Sequence, residues 1–535
     1  MKPGADTVEI YDTTLRDGAQ REGISWSLED KRRIARRLDA LGIDLVEGGW
    51  PGSNPKDAEL FAGATSLGLK GAKLAAFGST RRAGLAAADD PNVQALLEAG
   101  TPVCTIFGKS SVLHVEEVLR TTRDENLRMI EDTVRCLVAA GRRVIYDAEH
   151  FFDGHALEPA YALETLRAAV RGGASTLVLC DTNGGSLPWQ VGEIVAAAVG
   201  VAGGAAVGIH AHDDAGCGVA NTLAAVRAGA RHVQGTINGF GERCGNANLC
   251  AVIPGIELKL GLGALPSGRL RQLPEVSRFV AELANVSPDA HMPYVGRSAF
   301  AHKGGVHVAA IRRHAMSYQH VDPEAVGNEC RVVVSELAGR TNVLAKAEEH
   351  GITVDKDTPV EVLAQLKVLE SQGYSFEAAE ASVAMLLRRR DPSYEAPFQV
   401  LDYRVLGGQG RDQAFAEATV KLVVDGQVHH TVAEGDGPVH ALDTALRKAL
   451  VDVLPTIAAI KLTDYKVRIL DGRAGTSAIV RVLIDFFDGE RRWSTVGAST
   501  NIIEASWLAL CDGLEHGLAL TRDQVPTAKL LEVTA

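Results

Sequence analysis

At 535 residues the chain is too long for one ordinary domain, and length alone suggests two to four. Hydrophobic residues make up 46% and charged residues 23%, a balance that supports a packed core and excludes wholesale disorder. A net charge of −12 and a pI near 5.8 exclude a binder of the nucleic-acid backbone.

The N-terminal residues lack the apolar core of a secretory signal, and no apolar run is long enough to span a bilayer. A cytoplasmic protein with no membrane partner is expected. The eight cysteines, at 104, 136, 180, 217, 244, 250, 330 and 511, form no CxxC pair. That fits reduced thiols better than a disulfide framework.

From Val8 to about Gly261 short apolar runs alternate with amphipathic stretches. The runs are VEIYDTTL (8–15), LVEGGW (45–50), KLAAFG (73–78), PVCTIFG (102–108), RVIYDAEH (143–150), TLVLCDT (176–182), AVGIHAH (206–212) and HVQGTING (232–239). Between most of them lies a helical pattern such as LEDKRRIARRLDALG. Such alternation reads as βαβ units, and eight of them predict an α/β fold of the TIM (β/α)₈ barrel type. A doubly wound open sheet is the runner-up. Polar residues gather where the runs end: Arg16 and Asp17, Glu47, Glu149, Asp181 and Thr182, His210 and His212, and Asn238. Barrel active sites sit at the C-terminal ends of the strands.

Residues 265–392 read as a helical linker subdomain covering the barrel mouth, closed by Pro392 and Pro397. Residues 393–535 read as a C-terminal α+β unit with an internal repeat. ATVKLVVDGQVHHTVAEGDGPVHALDTALRKAL (418–450) resembles AIVRVLIDFFDGERRWSTVGASTNIIEASWLAL (478–510). Each half reads strand, Asp-Gly hairpin turn, strand, Gly-rich turn, helix. The Gly-rich turns at 435–437 and 497–499 are expected to open helix N-termini, which favour anions.

In HAHDDAGCGVAN (210–221), His210 and His212 are i and i+2 at a strand end and share a face. Imidazole is a common ligand for divalent metals. In a closed barrel strand 7 lies beside strand 8 and strand 8 beside strand 1, which brings Asp17 within reach. Asn246, in GERCGNANL (241–249), offers an amide oxygen as a fourth ligand. Asp213 or Asp214 is expected to orient the histidines. Two histidines and a carboxylate also occur in non-haem iron oxygenases, but this sequence does not resemble their usual jelly rolls. Arg16, beside Asp17, suits oxyanion charge on a metal-bound carbonyl; the plainer alternative is an ion pair with Asp17 or Glu47.

YDTTLRDGAQREG (11–23), CDTNGG (180–185), HAHDDAGCGVANTLAAVRAGA (210–230) and GTINGFGERCGNANL (235–249) together resemble the acyl-CoA-condensing barrel family. Its members include 2-isopropylmalate, homocitrate and citramalate synthases, and its relatives are lyases of the 3-hydroxy-3-methylglutaryl-CoA type. GDGPVHALDTAL (435–446) resembles the C-terminal allosteric domain of the synthases, which the lyases lack. VEGGWPGSNPKDAELF (46–61) resembles the branch that condenses acetyl-CoA with pyruvate; 2-oxoisovalerate is the alternative substrate.

The resemblance implies a divalent cation (Zn²⁺, Mn²⁺ or Mg²⁺) on Asp17, His210 and His212, with Asn246 as a fourth ligand. It implies that Arg16 stabilises an alkoxide, Glu47 organises Arg16 and Thr182 touches the substrate carboxylate. Glu149 would position a base, in which His307 takes part; His302 and His307 both lie in the stretch AFAHKGGVH (299–307). Trp50 would limit substrate size, or else simply pack the barrel. Isoleucine, with leucine as the alternative, is the expected feedback inhibitor of a homodimer, its carboxylate meeting Gly435, Gly437, Gly497 and Ala498. A carbon–carbon lyase and a non-catalytic metabolite sensor are the remaining alternatives.

Overall fold

The structure is a computed structural model that describes residues 6–335, 338–409 and 414–523. It divides into two compact units. The first runs to Phe300 and includes Val321–Glu329; the second holds Ala301–His320 and the described residues from Cys330 on.

In the first unit eight strands alternate with helices: β1 (Glu9–Asp12), β2 (Leu45–Gly49), β3 (Lys73–Ser79), β4 (Val103–Lys109), β5 (Arg143–Glu149), β6 (Thr176–Asp181), β7 (Ala206–Ala211) and β8 (His232–Gly235). All neighbours run parallel, and β1 pairs with both β2 and β8. The sheet therefore closes into the expected barrel, and the open-sheet alternative falls. Helix Leu28–Leu41 shows how the sequence builds the outer ring. Ser27 and Asp30 cap its first turn reciprocally, and Ile34, Ala35, Leu38 and Leu41 form its buried stripe.

Tyr11, Leu45, Ala75, Val103, Ile145 and Val178, one from each of the first six strands, pack together inside the barrel. A larger apolar layer lies between strands and helices. At the N-terminal end the strand starts are tied together by charge. Arg143 donates to both oxygens of Glu9 at 2.6 Å, and His232 Nδ1 lies 2.8 Å from Glu9 Oε2.

The second unit opens with a short parallel pair, β9 (Ala301–His302) and β10 (Arg331–Val332), followed by helices Arg340–Glu349, Thr358–Ser371 and Glu380–Arg388. Then come two antiparallel sheets in the same order: β11 (Gln399–Gln409), β12 (Ala414–Val424) and β13 (Gln427–Gly435), then β14 (Lys461–Ile469), β15 (Val480–Phe487) and β16 (Arg492–Ser499). Each is followed by a helix, Pro438–Leu450 and Ile502–Asp523. The repeat read from the sequence is present.

Asp425 and Gly426, both at positive φ, form the two-residue hairpin turn between β12 and β13. The second hairpin instead uses residues 488–491, with Asp488 accepting from the backbone N–H groups of Glu490 and Arg491. The stretch 497–499 differs from the expected turn: β16 continues through Ser499. Gly497 is there because the following helix passes so close that a Cβ would lie 2.0 Å from the Ala505 carbonyl oxygen.

The inner face of each sheet packs on its own helix, through Ala418, Val420 and Leu422 in one and Val482, Ile484 and Phe486 in the other. The outer faces differ. Leu483 and Val496 are covered by the helical segment carrying Phe376 and Val383. Leu406, Phe415, Val428 and Val432, which share the outer face of β11–β13, are exposed.

Candidate metal centre and substrate cavity

Asp17, His210 and His212 meet at the C-terminal end of the barrel. Their nearest ligand atoms lie within 4.8 Å of one another, and all three residues are buried. Asp17 follows β1 at the cap of a short 3₁₀ turn, His210 is in β7, and His212 comes just after it. His210 Nε2 is 3.1 Å from Asp17 Oδ2 and 3.3 Å from His212 Nε2. Burial pushes the Asp17 carboxyl up, but Arg16 and His210 hold it well below the usual carboxylate range. Burial, and then His210, lower His212 to about 4, so its imidazole is neutral near neutral pH.

Asn246 joins the group. Its Nδ2 is 2.8 Å from Asp17 Oδ2 and 3.1 Å from His210 Nε2, while its buried Oδ1 has no partner among the described residues. A carboxylate and two imidazoles form a donor set that fits a divalent cation, with the Asn246 amide turned toward them by its nitrogen.

Arg16 lies over this floor. Its Nε donates to Glu47 Oε1, its Nη2 is 3.7 Å from Asp17 Oδ2, and its Cζ sits 3.7 Å from the centre of the Phe77 ring. Glu47 is fully buried and also accepts from the Tyr11 hydroxyl at 2.6 Å. Arg16 is thus paired to carboxylates, as the plainer expectation had it, and lines the cavity as well.

The cavity, about 220 Å³, is lined by Arg16, Asp17, Trp50, Glu149, Thr182, His210 and His212 among others. Trp50 meets Phe77 and Phe107 edge-on, with ring centres 5.8 and 5.6 Å apart, and its Nε1 donates to Asn92 Oδ1 at 2.7 Å. Gly49, at φ +142°, lets the chain turn close to Asp57: a Cβ there would lie 2.2 Å from the carboxylate. Asp57 accepts from the Trp50 N–H at 3.0 Å and pairs with buried Lys31. Thr182 Oγ1 accepts from the His150 N–H at 2.8 Å. Glu149 is ion-paired with Lys109.

His302 and His307 belong to the second unit and are described within it. The buried Nε2 of His302 has no partner among the described residues, and His307 stacks on Tyr318 with ring centres 4.1 Å apart. Gly435 ends β13, Gly437 caps helix Pro438–Leu450, and Gly497 and Ala498 lie within β16.

Asp213 and Asp214 make no hydrogen bond to the histidines, contrary to expectation. Asp213 accepts from the Gly218 N–H at 2.6 Å, and Asp214 holds Arg243 through two bonds of 2.7 and 3.0 Å. Each is taken up by its own loop. His210 is oriented from the neighbouring strand instead: its Nδ1 is 2.7 Å from Gln234 Oε1, and Gln234 Nε2 donates to Asp147 Oδ1 at 2.9 Å. Sequence reasoning missed Gln234; Asp147, Arg243, Phe77 and Phe107 on the cavity wall; and Lys109, the partner of Glu149. The one available signal was inward alternation on β8, where Gln234 lies opposite His210 on β7.

Three family models match the chain: HMGL-like over residues 7–280, Homocitrate synthase post-HMGL domain-like over 294–374, and LeuA allosteric (dimerisation) domain over 377–518. A protein of Aquifex aeolicus named (R)-citramalate synthase is 52% identical over 96% of this chain and 98% of its own. One of Synechocystis with the same name is 55% identical over 96% of each chain. A probable 2-isopropylmalate synthase of Methanopyrus kandleri is 32% identical over 97% of this chain and its whole length.

Proposed function

The chain belongs to the HMGL-like family, among the condensing enzymes that end in a LeuA allosteric (dimerisation) domain, and on that premise we propose that it joins acetyl-CoA to pyruvate and hydrolyses the thioester to give (R)-citramalate and CoA. The observation that carries this reading is the cavity, where three ligand atoms and a fixed guanidinium face a wall of aromatic rings. Relatives at 52% and 55% identity that are named for this activity support it.

Asp17, His210 and His212, with Asn246, would hold Mn²⁺, Mg²⁺ or Zn²⁺, which when bound supplies Lewis-acid polarisation of a 2-oxo group. Glu47 holds Arg16 by Nε, leaving the Nη donors to meet negative charge as the ketone becomes an alkoxide. Thr182 accepts from the His150 N–H, so its own O–H is left to donate to the substrate carboxylate. Trp50, with Phe77 and Phe107, bounds the space for the substituent on the 2-oxo carbon and suits a methyl group. Glu149 positions the base that takes a proton from the acetyl methyl group, with His307, and His302 close to it in sequence, taking part. The carbanion attacks the ketone carbon, and water then cleaves the thioester, which makes the condensation irreversible.

Isoleucine binds the C-terminal repeat of a cytoplasmic homodimer near Gly435, Gly437, Gly497 and Ala498 and lowers the rate. The match to an allosteric, dimerising domain supports this part. Thiol release from acetyl-CoA with pyruvate and with 2-oxoisovalerate tests the whole. Pyruvate should give the higher kcat/KM; a higher value with 2-oxoisovalerate would overturn the substrate assignment, and no thiol release with either would overturn condensation.

A further inference from the structure

We propose that Gln234 is the residue that makes His210 a ligand, by holding its imidazole in the one tautomer whose Nε2 lone pair faces the cavity, and that Asp147 fixes which way the Gln234 amide points; this rests on reading Asp17, His210 and His212 as a cation site. Gln234 is fully buried on β8, and Asp147 is buried on β5 across the barrel. The chain of contacts runs from β5 to β8 to β7.

An amide oxygen can only accept a hydrogen bond. With Gln234 Oε1 at 2.7 Å, His210 Nδ1 must carry the hydrogen. The neutral imidazole that a cation requires has one N–H, so with Nδ1 carrying it the lone pair is on Nε2. Nε2 is the atom that lies 3.1 Å from Asp17 Oδ2 and 3.3 Å from His212 Nε2. Were the Gln234 amide turned over, its N–H would face Nδ1. The hydrogen would then move to Nε2, into the position a cation needs. Asp147 blocks that inversion. Its Oδ1 accepts from Gln234 Nε2 at 2.9 Å, and inversion would give up that bond and set the amide oxygen against the oxygen of a buried acid. His212 has no such clamp: its buried Nδ1 has no partner among the described residues. Of the two histidines, His210 is therefore the one whose ligating atom is fixed before any cation arrives.

The test is Co²⁺ binding by the full-length protein freed of metal, followed by titration and by the visible absorption of the bound ion, with no substrate present. Gln234→Leu should weaken binding about 10- to 100-fold and alter the absorption bands. The double variant Q234E/D147N reverses the hydrogen bond between positions 147 and 234 but keeps an oxygen acceptor on His210 Nδ1–H. It should bind within about threefold of wild type. Wild-type affinity in Gln234→Leu, or a double variant as weak as Gln234→Leu, would overturn the role of Gln234. Equal Co²⁺ binding by wild type and Asp17→Asn would instead overturn the cation site on which the role depends.

Discussion

Glu47→Gln removes the buried negative charge that is paired with Arg16 beside the cavity. Glu47 is fully buried, receives the Arg16 Nε–H and accepts from Tyr11, which in turn meets Thr105 Oγ1 at 2.7 Å. Glutamine matches its shape, but one of the two acceptor oxygens becomes an NH₂ that faces a donor. Removing one partner of a buried ion pair costs about 3–5 kcal/mol. Arg16 keeps Asp17 at 3.7 Å and the Phe77 ring beneath it, so the lower figure, about 3 kcal/mol, is expected.

The first unit has about 300 residues, and an unfolding entropy of about 2.1 cal/mol/K per residue gives about 0.6 kcal/mol/K. Its melting temperature should therefore fall by about 5 °C. The guanidinium also loses its fixed position, so kcat should fall about 10²- to 10³-fold, as when one oxyanion donor is removed. KM for acetyl-CoA should not change. Calorimetry reads the first effect and thiol release at saturating pyruvate the second. A variant that melts within about 1 °C of wild type and keeps kcat within about threefold would refute the role given to Glu47.

Trp50→Ala should relax substrate choice. Each extra carbon in a fitted pocket is worth about 1–3 kcal/mol, so the pyruvate to 2-oxoisovalerate ratio of kcat/KM should fall at least about tenfold; an unchanged ratio would move the size limit to other wall residues. Gly49→Ala should lower the melting temperature and loosen the same preference, because its Cβ displaces the Asp57 carboxylate that holds the Trp50 N–H; a wild-type melt and ratio would contradict this.

Glu9 sets a pH dependence. Burial pushes its carboxyl up, but Arg143 and His232 hold it well below its ordinary 4.5. The unfolded chain therefore binds more protons than the native one as pH falls, and the stabilisation, present above about pH 4.5, is lost below it. Glu9→Gln should be less stable at pH 7 by about 3–5 kcal/mol, with the gap narrowing below about pH 4.5. Denaturant melts from pH 7 to pH 3 in which the gap stays constant would count against it.

The barrel was legible because its repeating unit is written eight times and because closure is a topological property. Once strand 8 pairs with strand 1, Asp17 and His210 must approach, although 193 positions separate them in the chain. What could not be read was anything that depends on inter-strand register. Gln234 sits in the unremarkable run HVQG, and only its place opposite His210 gives it a role. Phe77 and Phe107 end apolar strands, where a residue lining a cavity and a residue filling a core look alike. Asp213 and Asp214 misled because a carboxylate beside a histidine in sequence has nearer claims on it, a loop N–H in one case and an arginine in the other. Gly497 misled because close approach of a helix and a turn both select glycine.

The two sheets of the C-terminal repeat share one strand order, yet among the described residues it is on β14–β16 that the outer face is covered within its own unit, at Leu483 and Val496. On β11–β13, Leu406, Phe415, Val428 and Val432 stand on one open surface, and an apolar surface of this kind leaves water only against another surface. With a second copy of the chain as that cover, folding of this unit becomes linked to association, and mass action enters its stability. Its melting temperature would then be a function of protein concentration. Dilution, with no change in sequence, pH or ligand, would uncouple the repeat from its neighbour and weaken whatever control passes through it.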